Sequence, residues 1–174
     1  MRRRFSLADV QALVVDIDGT LLRGTLPLPG LPRFFTFLEA RRIPFVVASN
    51  NATKTAAAYQ EKLAGLGVSL QVGQILTAAA ATAGYLTGEL RQGARLYVIG
   101  EPALRSVLHQ AGFALLDDAS QPVDAVIVGG DSTLTYDKLK NGVLHLQRGA
   151  RFVGTNPDLL CPTEEGLVPE AGTT

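Results

Sequence analysis

Two aspartates stand two residues apart at the end of an apolar run, in the segment Asp16-Ile17-Asp18-Gly19-Thr20. Alternate residues of an extended chain point the same way, so both carboxylates should project together from the C-terminal end of a strand, where open parallel sheets bind ligands. Neighbouring carboxylates repel each other, and a cation between them relieves that repulsion. Oxygen ligands suit a hard ion, so the pair predicts a Mg2+ site. The alternative is an ordinary turn, because Asp and Gly are common turn residues.

A second polar group, Ser49-Asn50-Asn51, follows the apolar run 45–48. A hydroxyl and backbone N–H groups between a strand and a helix can hold phosphate oxygens. Taken alone, this group is better explained as a turn with a helix cap. Its position at the end of the second strand matches that of Asp16 at the end of the first. That match makes it a candidate phosphate-binding group.

Short apolar runs alternate with helical patterns along the whole chain. This alternation predicts an α/β fold with parallel strands. The predicted strands cover 12–15, 45–48, 95–99, 124–128 and 151–153, and the predicted helices cover 31–42, 53–65, 77–91, 102–111 and 135–148. The run 12–15 suits a strand buried on both faces, and Thr53 is a plausible N-cap for the second helix. A boundary is expected near 73–78, where Gly73 precedes an alanine-rich helix.

The composition excludes several classes of protein. The 174 residues carry 16 basic and 16 acidic side chains, which argues against a nucleic-acid binder. The single cysteine cannot form an internal disulfide. The basic N-terminus resembles the start of a secretory signal peptide, but Asp9 interrupts the apolar stretch that follows it. No apolar stretch approaches the ~20 residues that a membrane span needs. We therefore expect a soluble, cytoplasmic protein without a nucleic-acid or membrane partner.

The two polar groups carry a resemblance to a known family. The segment 16–24 resembles the nucleophile motif of the haloacid dehalogenase superfamily. The segment 49–54 is similar to the second motif of its class IIA phosphatases, the p-nitrophenyl-phosphatase and sugar-phosphatase-like group. Segments similar to the large α/β cap of that group are 100–101, 135–139, 154–158 and Val168-Pro169. The resemblance implies a parallel Rossmann-like core, of which residues 1–76 form the first half, and an α/β cap over residues 77–174.

The resemblance also implies a function, namely Mg2+-dependent hydrolysis of a small phosphorylated metabolite. Asp16 would attack phosphorus and form an aspartyl-phosphate, which is covalent catalysis by a carboxylate. Asp18 would protonate the leaving group and then activate water, so it must hold a proton near neutral pH. Mg2+ would bind the Asp16 carboxylate and the Asp18 backbone carbonyl. Ser49, Asn50 and Asn51 would hold the phosphoryl oxygens.

The same resemblance assigns roles to the cap. Its loop 156–165 would face the active site and help to select the substrate, through Asn156, Asp158 and Cys161. Class IIA relatives often pair through their caps, so a homodimer is a candidate assembly.

Two motifs of the family, a downstream lysine and an acidic metal-binding segment, are not evident in the sequence. Lysines occur only at 54, 62, 138 and 140. We therefore expect a chain that lacks the second half of the core and is poorly soluble, self-associating or marginally folded. Gly130-Asp131 with Asp137 could supply the acidic motif, but Thr135 to Leu139 fits a helix start in the cap better. The alternative function is an inactive remnant that acts as a binding or assembly module.

Overall fold

The computed structural model describes residues 10–163 and 166–173, and its chain divides into two compact units. The first unit contains the chain up to Ser49 together with Tyr59–Leu76. The second contains Asn50–Ala58 and the chain from Thr77 onward. The short segment Asn50–Ala58 therefore leaves the first unit directly after Ser49 and returns to it at Tyr59.

The first unit contains a small sheet with two helices. Its elements in chain order are β1 (Leu13–Asp16), β2 (Leu22–Arg23), β3 (Leu26–Pro27), α1 (Leu31–Ala40), β4 (Phe45–Ser49), α2 (Ala56–Gly65) and β5 (Ile75–Thr77), of which α2 and β5 each have residues in both units. The sheet order is β1-β4-β5, and β2 pairs with β3 as a hairpin. Strands β1 and β4 are parallel, with Asp16 opposite Ala48. The ends of these two strands, and the polar groups that follow them, therefore lie side by side.

Strand β1 lies at the edge of its sheet and is buried on one face only. Val15 is buried, whereas Val14 is 76% exposed. The prediction of a strand buried on both faces is therefore wrong. A continuous apolar run cannot reveal this, because its composition does not show what packs against each face of the strand.

Helix α2 begins later than predicted. It starts at Ala56, where Thr55 Oγ1 accepts a hydrogen bond from Ala58 N at 3.1 Å. Thr53 is not the cap, because it lies three residues before the first residue of α2, and its backbone N–H donates to Asn51 Oδ1 at 2.6 Å. Asn51 thus organises a turn ahead of the helix, a common role for Asn.

The second unit contains a parallel four-stranded sheet. Its elements are α3 (Ala78–Glu89), β6 (Arg95–Ile99), α4 (Pro102–Gln110), β7 (Ala114–Leu116), β8 (Ala125–Val128), α5 (Tyr136–Gln147), β9 (Arg151–Gly154), β10 (Leu160–Thr163) and β11 (Gly166–Pro169). The sheet order is β7-β6-β8-β9 with every pairing parallel, and β10 pairs with β11 as a hairpin. The predicted α/β fold with parallel sheets is confirmed.

Both faces of this sheet are covered, because strands β6 and β8 are almost wholly buried. Leu96, Val98 and Ile127 pack in one apolar cluster, and Tyr97 and Val126 pack in another. Thr77 and Thr135 cap helices α3 and α5, since their hydroxyls accept from the backbone three residues later. Within the described ranges, no helix is both long and apolar enough to span a membrane.

Candidate active site

The two predicted aspartates lie in a tight turn that follows β1. Asp16 and Asp18 are both exposed, while Ile17 between them is fully buried and anchors the turn. The Ile17 carbonyl accepts backbone hydrogen bonds from residues 20, 21 and 22, at 3.3, 2.9 and 2.9 Å. Gly19 has φ of +85°, a left-handed conformation that favours glycine. The motif is therefore a hydrogen-bonded turn that exposes both carboxylates at the carboxyl end of the strand.

Ser49 connects the end of β4 to this turn. Its hydroxyl donates to Asp18 Oδ2 over 3.4 Å, a long hydrogen bond between residues that are 31 positions apart in sequence. The two motifs singled out in the sequence thus meet within the first unit. Ser49 is 6% exposed, so its hydroxyl is held in a protein environment while the Asp18 carboxylate reaches solvent.

Two hydroxyl-bearing residues of this site were not predicted. Thr20 Oγ1 donates to Asp16 Oδ2 at 3.3 Å, and the Tyr59 hydroxyl lies 3.2 Å from Ser49 Oγ. Thr20 is part of the quoted motif, and its spacing of four residues from Asp16 offered a signal. Tyr59 offered none, because a helical pattern does not show which atom an aromatic side chain reaches.

The other predicted phosphate-binding residues belong to the second unit. Asn50 is exposed, and its Nδ2 donates to Asp158 Oδ2 at 2.7 Å. Asn51 Oδ1 accepts from both the backbone and the hydroxyl of Thr53, each at 2.6 Å. The phosphate-binding role of Asn50 and Asn51 stays a prediction.

The predicted specificity loop is partly a structural turn. Asn156 is 6% exposed, and its Oδ1 accepts from Asp158 N at 2.9 Å. Gly172 N donates to the Asp158 carbonyl at 2.9 Å, which ties the loop to the residues after β11. Cys161 lies in β10 opposite Val168, and its side chain lies outside the described part of the structure. Of the three specificity candidates, Asp158 is therefore the one whose side chain is both described and exposed.

Asp131, the alternative acidic residue, serves a structural ion pair. Its side chain is 1% exposed and accepts from Lys138 Nζ at 2.6 Å. Thr133 donates to it through both N and Oγ1, at 2.9 and 2.8 Å. Burial would raise the pKa of the Asp131 carboxyl, but the hydrogen bonds from Lys138 and Thr133 and the Lys138 charge hold that pKa below its ordinary value.

We expect Asp131→Asn to lower the free energy of unfolding by about 1–3 kcal/mol at pH 7, since a buried charge-assisted bond is lost. A carboxyl whose pKa is lower in the folded state stabilises the fold above its unfolded pKa of about 4, and this stabilisation disappears as pH falls through the folded pKa. Urea unfolding at pH 7 and below pH 4 measures the change. The control Asp137→Asn removes the exposed ion pair with Lys140, which has an N–O distance of 2.5 Å, and should lower the free energy of unfolding by less than about 1 kcal/mol. Equal losses in the two variants at pH 7 would contradict the assignment.

The donor set at the first turn fits Mg2+. This ion commonly uses one or two carboxylates and fills its other positions with waters and substrate phosphate. Asp16 provides an exposed carboxylate on this turn, and Asp18 provides a backbone carbonyl oxygen two residues later. Among residues 10–163 and 166–173, no group of three or more His, Cys, Asp or Glu could hold a metal ion. The pair therefore suits an open site rather than a closed, all-protein cage.

A pocket of about 320 Å³ in the first unit shares Thr20 with the candidate site but does not suit a charged ligand. It is lined by Val15, Thr20, Leu21, Leu28, Pro29, Gly30, Leu31 and Phe34. This lining is mostly apolar and omits both aspartates and Ser49. The candidate site is therefore the strand-end turn and not this pocket.

Comparisons with known proteins agree with the motifs. A family model described as haloacid dehalogenase-like hydrolase matches residues 13–114. An acid sugar phosphatase from Staphylococcus epidermidis is 37% identical over 162 residues, which are 93% of this chain and 61% of that protein. The chain thus spans about three fifths of the length of the curated relatives that it matches.

Solved structures show the same similarity. The p-nitrophenyl phosphatase from Archaeoglobus fulgidus matches with a TM-score of 0.88 at 27% identity, over 95% of this chain and 62% of that one. A glycerol phosphate phosphatase from Mycobacterium tuberculosis, solved in complex with calcium, matches with a TM-score of 0.84 at 30% identity, over 94% of this chain and 48% of that one. The chain therefore belongs to the haloacid dehalogenase-like hydrolase family, within its class IIA group.

Proposed function

We propose that the protein is a Mg2+-dependent phosphomonoester hydrolase that acts through an aspartyl-phosphate on Asp16. The observation that carries the proposal is the hydrogen bond from Ser49 to Asp18, because it brings a phosphate-binding hydroxyl to the carboxylate turn at the end of β1. A nucleophile, an acid–base group and a hydrogen-bond donor then lie together at the carboxyl ends of the neighbouring strands β1 and β4.

The proposed reaction has two steps. An Asp16 carboxylate oxygen forms a bond to phosphorus as the bond to the leaving oxygen breaks, and Asp18 gives its proton to that oxygen. Asp18 then takes a proton from water, which attacks phosphorus and releases phosphate and free Asp16. The Ser49 hydroxyl donates to a phosphoryl oxygen during both steps, where charge develops. Bound Mg2+, held by Asp16 and the backbone carbonyl of Asp18, would offset the negative charge of the phosphoryl group.

The proposed substrate is a small phosphate ester of a polyhydroxylated metabolite. Relatives named acid sugar phosphatase and glycerol phosphate phosphatase support this class. In this proposal, Asp158 carries specificity, because its exposed carboxylate holds the Asn50 side chain at 2.7 Å. Asn156 acts through the turn that places Asp158, and Cys161 remains a further candidate.

The direct test is hydrolysis of p-nitrophenyl phosphate by the 174-residue chain, with and without MgCl2 and with EDTA. We expect turnover that needs Mg2+ and disappears with EDTA. A purified, folded chain with no Mg2+-dependent turnover would contradict the proposal for this chain and favour the binding module.

Asp158→Ala is expected to raise KM for glycerol phosphate about 3- to 10-fold, since Asn50 loses its partner. Because both residues are exposed, unfolding stability should change by less than about 1 kcal/mol. Steady-state kinetics and urea unfolding measure the two effects. The control Asp117→Ala breaks another exposed pair of the second unit, with Arg105 at 2.5 Å, and should leave KM unchanged. An equal KM for Asp158→Ala and the unaltered chain would remove Asp158 from the specificity set.

The alternative function, a binding or assembly module, has one supporting observation. Tyr136 and Val143 on α5 and Phe152 on β9 are 79%, 50% and 62% exposed. Exposed apolar groups of this kind mark interaction surfaces when they are contiguous. The same side chains are candidates for the homodimer through the cap, which stays a proposal.

A further inference from the structure

Tyr59 reaches the candidate site from helix α2. Its side chain is 1% exposed, and its hydroxyl lies 3.2 Å from Ser49 Oγ. Both residues belong to the first unit, and both are buried. A buried hydroxyl pair of this kind is retained only where its hydrogen bonds are satisfied.

The Ser49 hydroxyl contacts both Asp18 and Tyr59. A serine hydroxyl has one proton to donate and two lone pairs that accept. Ser49 Oγ lies 3.4 Å from Asp18 Oδ2 and 3.2 Å from the Tyr59 hydroxyl, and in the contact with Tyr59 either oxygen can be the donor. The buried phenol and the exposed Asp18 carboxylate therefore contact the same oxygen atom, Ser49 Oγ.

We infer that Tyr59 is a positioning residue, which fixes the χ1 rotamer of Ser49. This inference rests on the proposed function for its catalytic consequence. The contact with Tyr59 holds Ser49 Oγ at the carboxylate turn. A phosphoryl oxygen bound there would find the hydroxyl already in place, so the side chain need not move as charge develops.

The first measurement is independent of catalysis. Three-bond NMR couplings of the Ser49 β protons report its χ1 rotamer in the 174-residue chain. We expect one rotamer in the unaltered chain and averaged couplings in Tyr59→Phe, which lacks only the hydroxyl. The control Tyr97→Phe removes another buried phenol hydroxyl, which donates to the Lys138 carbonyl at 3.1 Å, and should leave the Ser49 couplings unchanged. Unchanged couplings in Tyr59→Phe would overturn the inference.

The second measurement is a double-mutant cycle on p-nitrophenyl phosphate hydrolysis. Tyr59→Phe should lower kcat about 3- to 10-fold and change KM less than about 2-fold. A loss of this size is expected for one hydrogen bond that acts mainly in the transition state. In a Ser49→Ala background, the same change should have almost no further effect, since Tyr59 acts through that hydroxyl. Tyr97→Phe should keep kcat. Additive losses in the double variant would show that Tyr59 does not act through Ser49.

The two measurements separate the inference from the proposed function. Absence of turnover in the unaltered chain would contradict the proposed function for this chain, while the Ser49 couplings would still decide whether Tyr59 positions the serine. Turnover that survives with unaltered couplings in Tyr59→Phe would support the hydrolase and reject the positioning role.

Discussion

Asp16→Asn is expected to lower Mg2+-dependent hydrolysis of p-nitrophenyl phosphate by at least about 10^3-fold. The amide has nearly the same shape as the carboxylate but cannot form the acyl-phosphate bond, and it is a weaker ligand for Mg2+. Loss of a nucleophile removes the whole covalent route, so the effect should be among the largest of any substitution. Initial rates at saturating substrate measure it.

A fold control accompanies this prediction. Glu39→Gln makes the same chemical change at an exposed position near the end of α1 and should retain full activity. Asp16 is exposed as well, so the free energy of unfolding of Asp16→Asn should lie within about 1 kcal/mol of that of the unaltered chain. Retained turnover in a folded Asp16→Asn protein would rule out Asp16 as the nucleophile.

Asp18→Asn is expected to have an effect that depends on the leaving group. Glycerol phosphate releases a strongly basic alkoxide unless it is protonated, so its turnover should fall about 10^2- to 10^4-fold. Nitrophenolate leaves without protonation, so formation of the aspartyl-phosphate from p-nitrophenyl phosphate should be affected less. Its hydrolysis still needs a base for water, and we therefore expect a burst of nitrophenolate followed by slow turnover.

Stopped-flow absorbance measures the burst, whose amplitude should approach one nitrophenolate per chain. The Ser49→Ala variant removes the hydroxyl that donates to Asp18 and serves as the comparison. It should slow both substrates by similar factors, because the serine acts on the phosphoryl group in either case. Equal losses for the two substrates in Asp18→Asn, without a burst, would show that Asp18 is not the acid–base group.

Local patterns predicted most of the elements that position the site. The apolar runs 45–48 and 95–99 became β4 and β6 within one residue, since β-branched side chains favour buried strands. Asp16 and Ser49 were expected at neighbouring strand ends because parallel strands terminate on the same side, and the pairing of β1 with β4 confirms this. The sequence was sufficient for this prediction because Asp16 and Ser49 each stand directly at the end of a predicted strand.

Features that depend on distant partners could not be predicted. β7 was missed because Ala114-Leu115-Leu116 has no β-branched residue, and it is a strand only because β6 pairs with it. The β10–β11 hairpin was missed for a similar reason, since Pro162 argues against a strand in isolation. Tyr59 could not be assigned to the site because its hydroxyl meets Ser49 only in the folded unit.

The most direct test of the central claim is to trap the phosphorylated residue. The 174-residue chain is incubated with MgCl2 and p-nitrophenyl phosphate, quenched in acid and reduced with borohydride, which converts an aspartyl-phosphate to homoserine. Peptide mass spectrometry should place that conversion at Asp16, with a higher yield in Asp18→Asn, where release of phosphate is slow. Conversion at any other residue, or turnover with Asp16 unmodified throughout, would contradict the assignment of Asp16 as the phosphoryl acceptor.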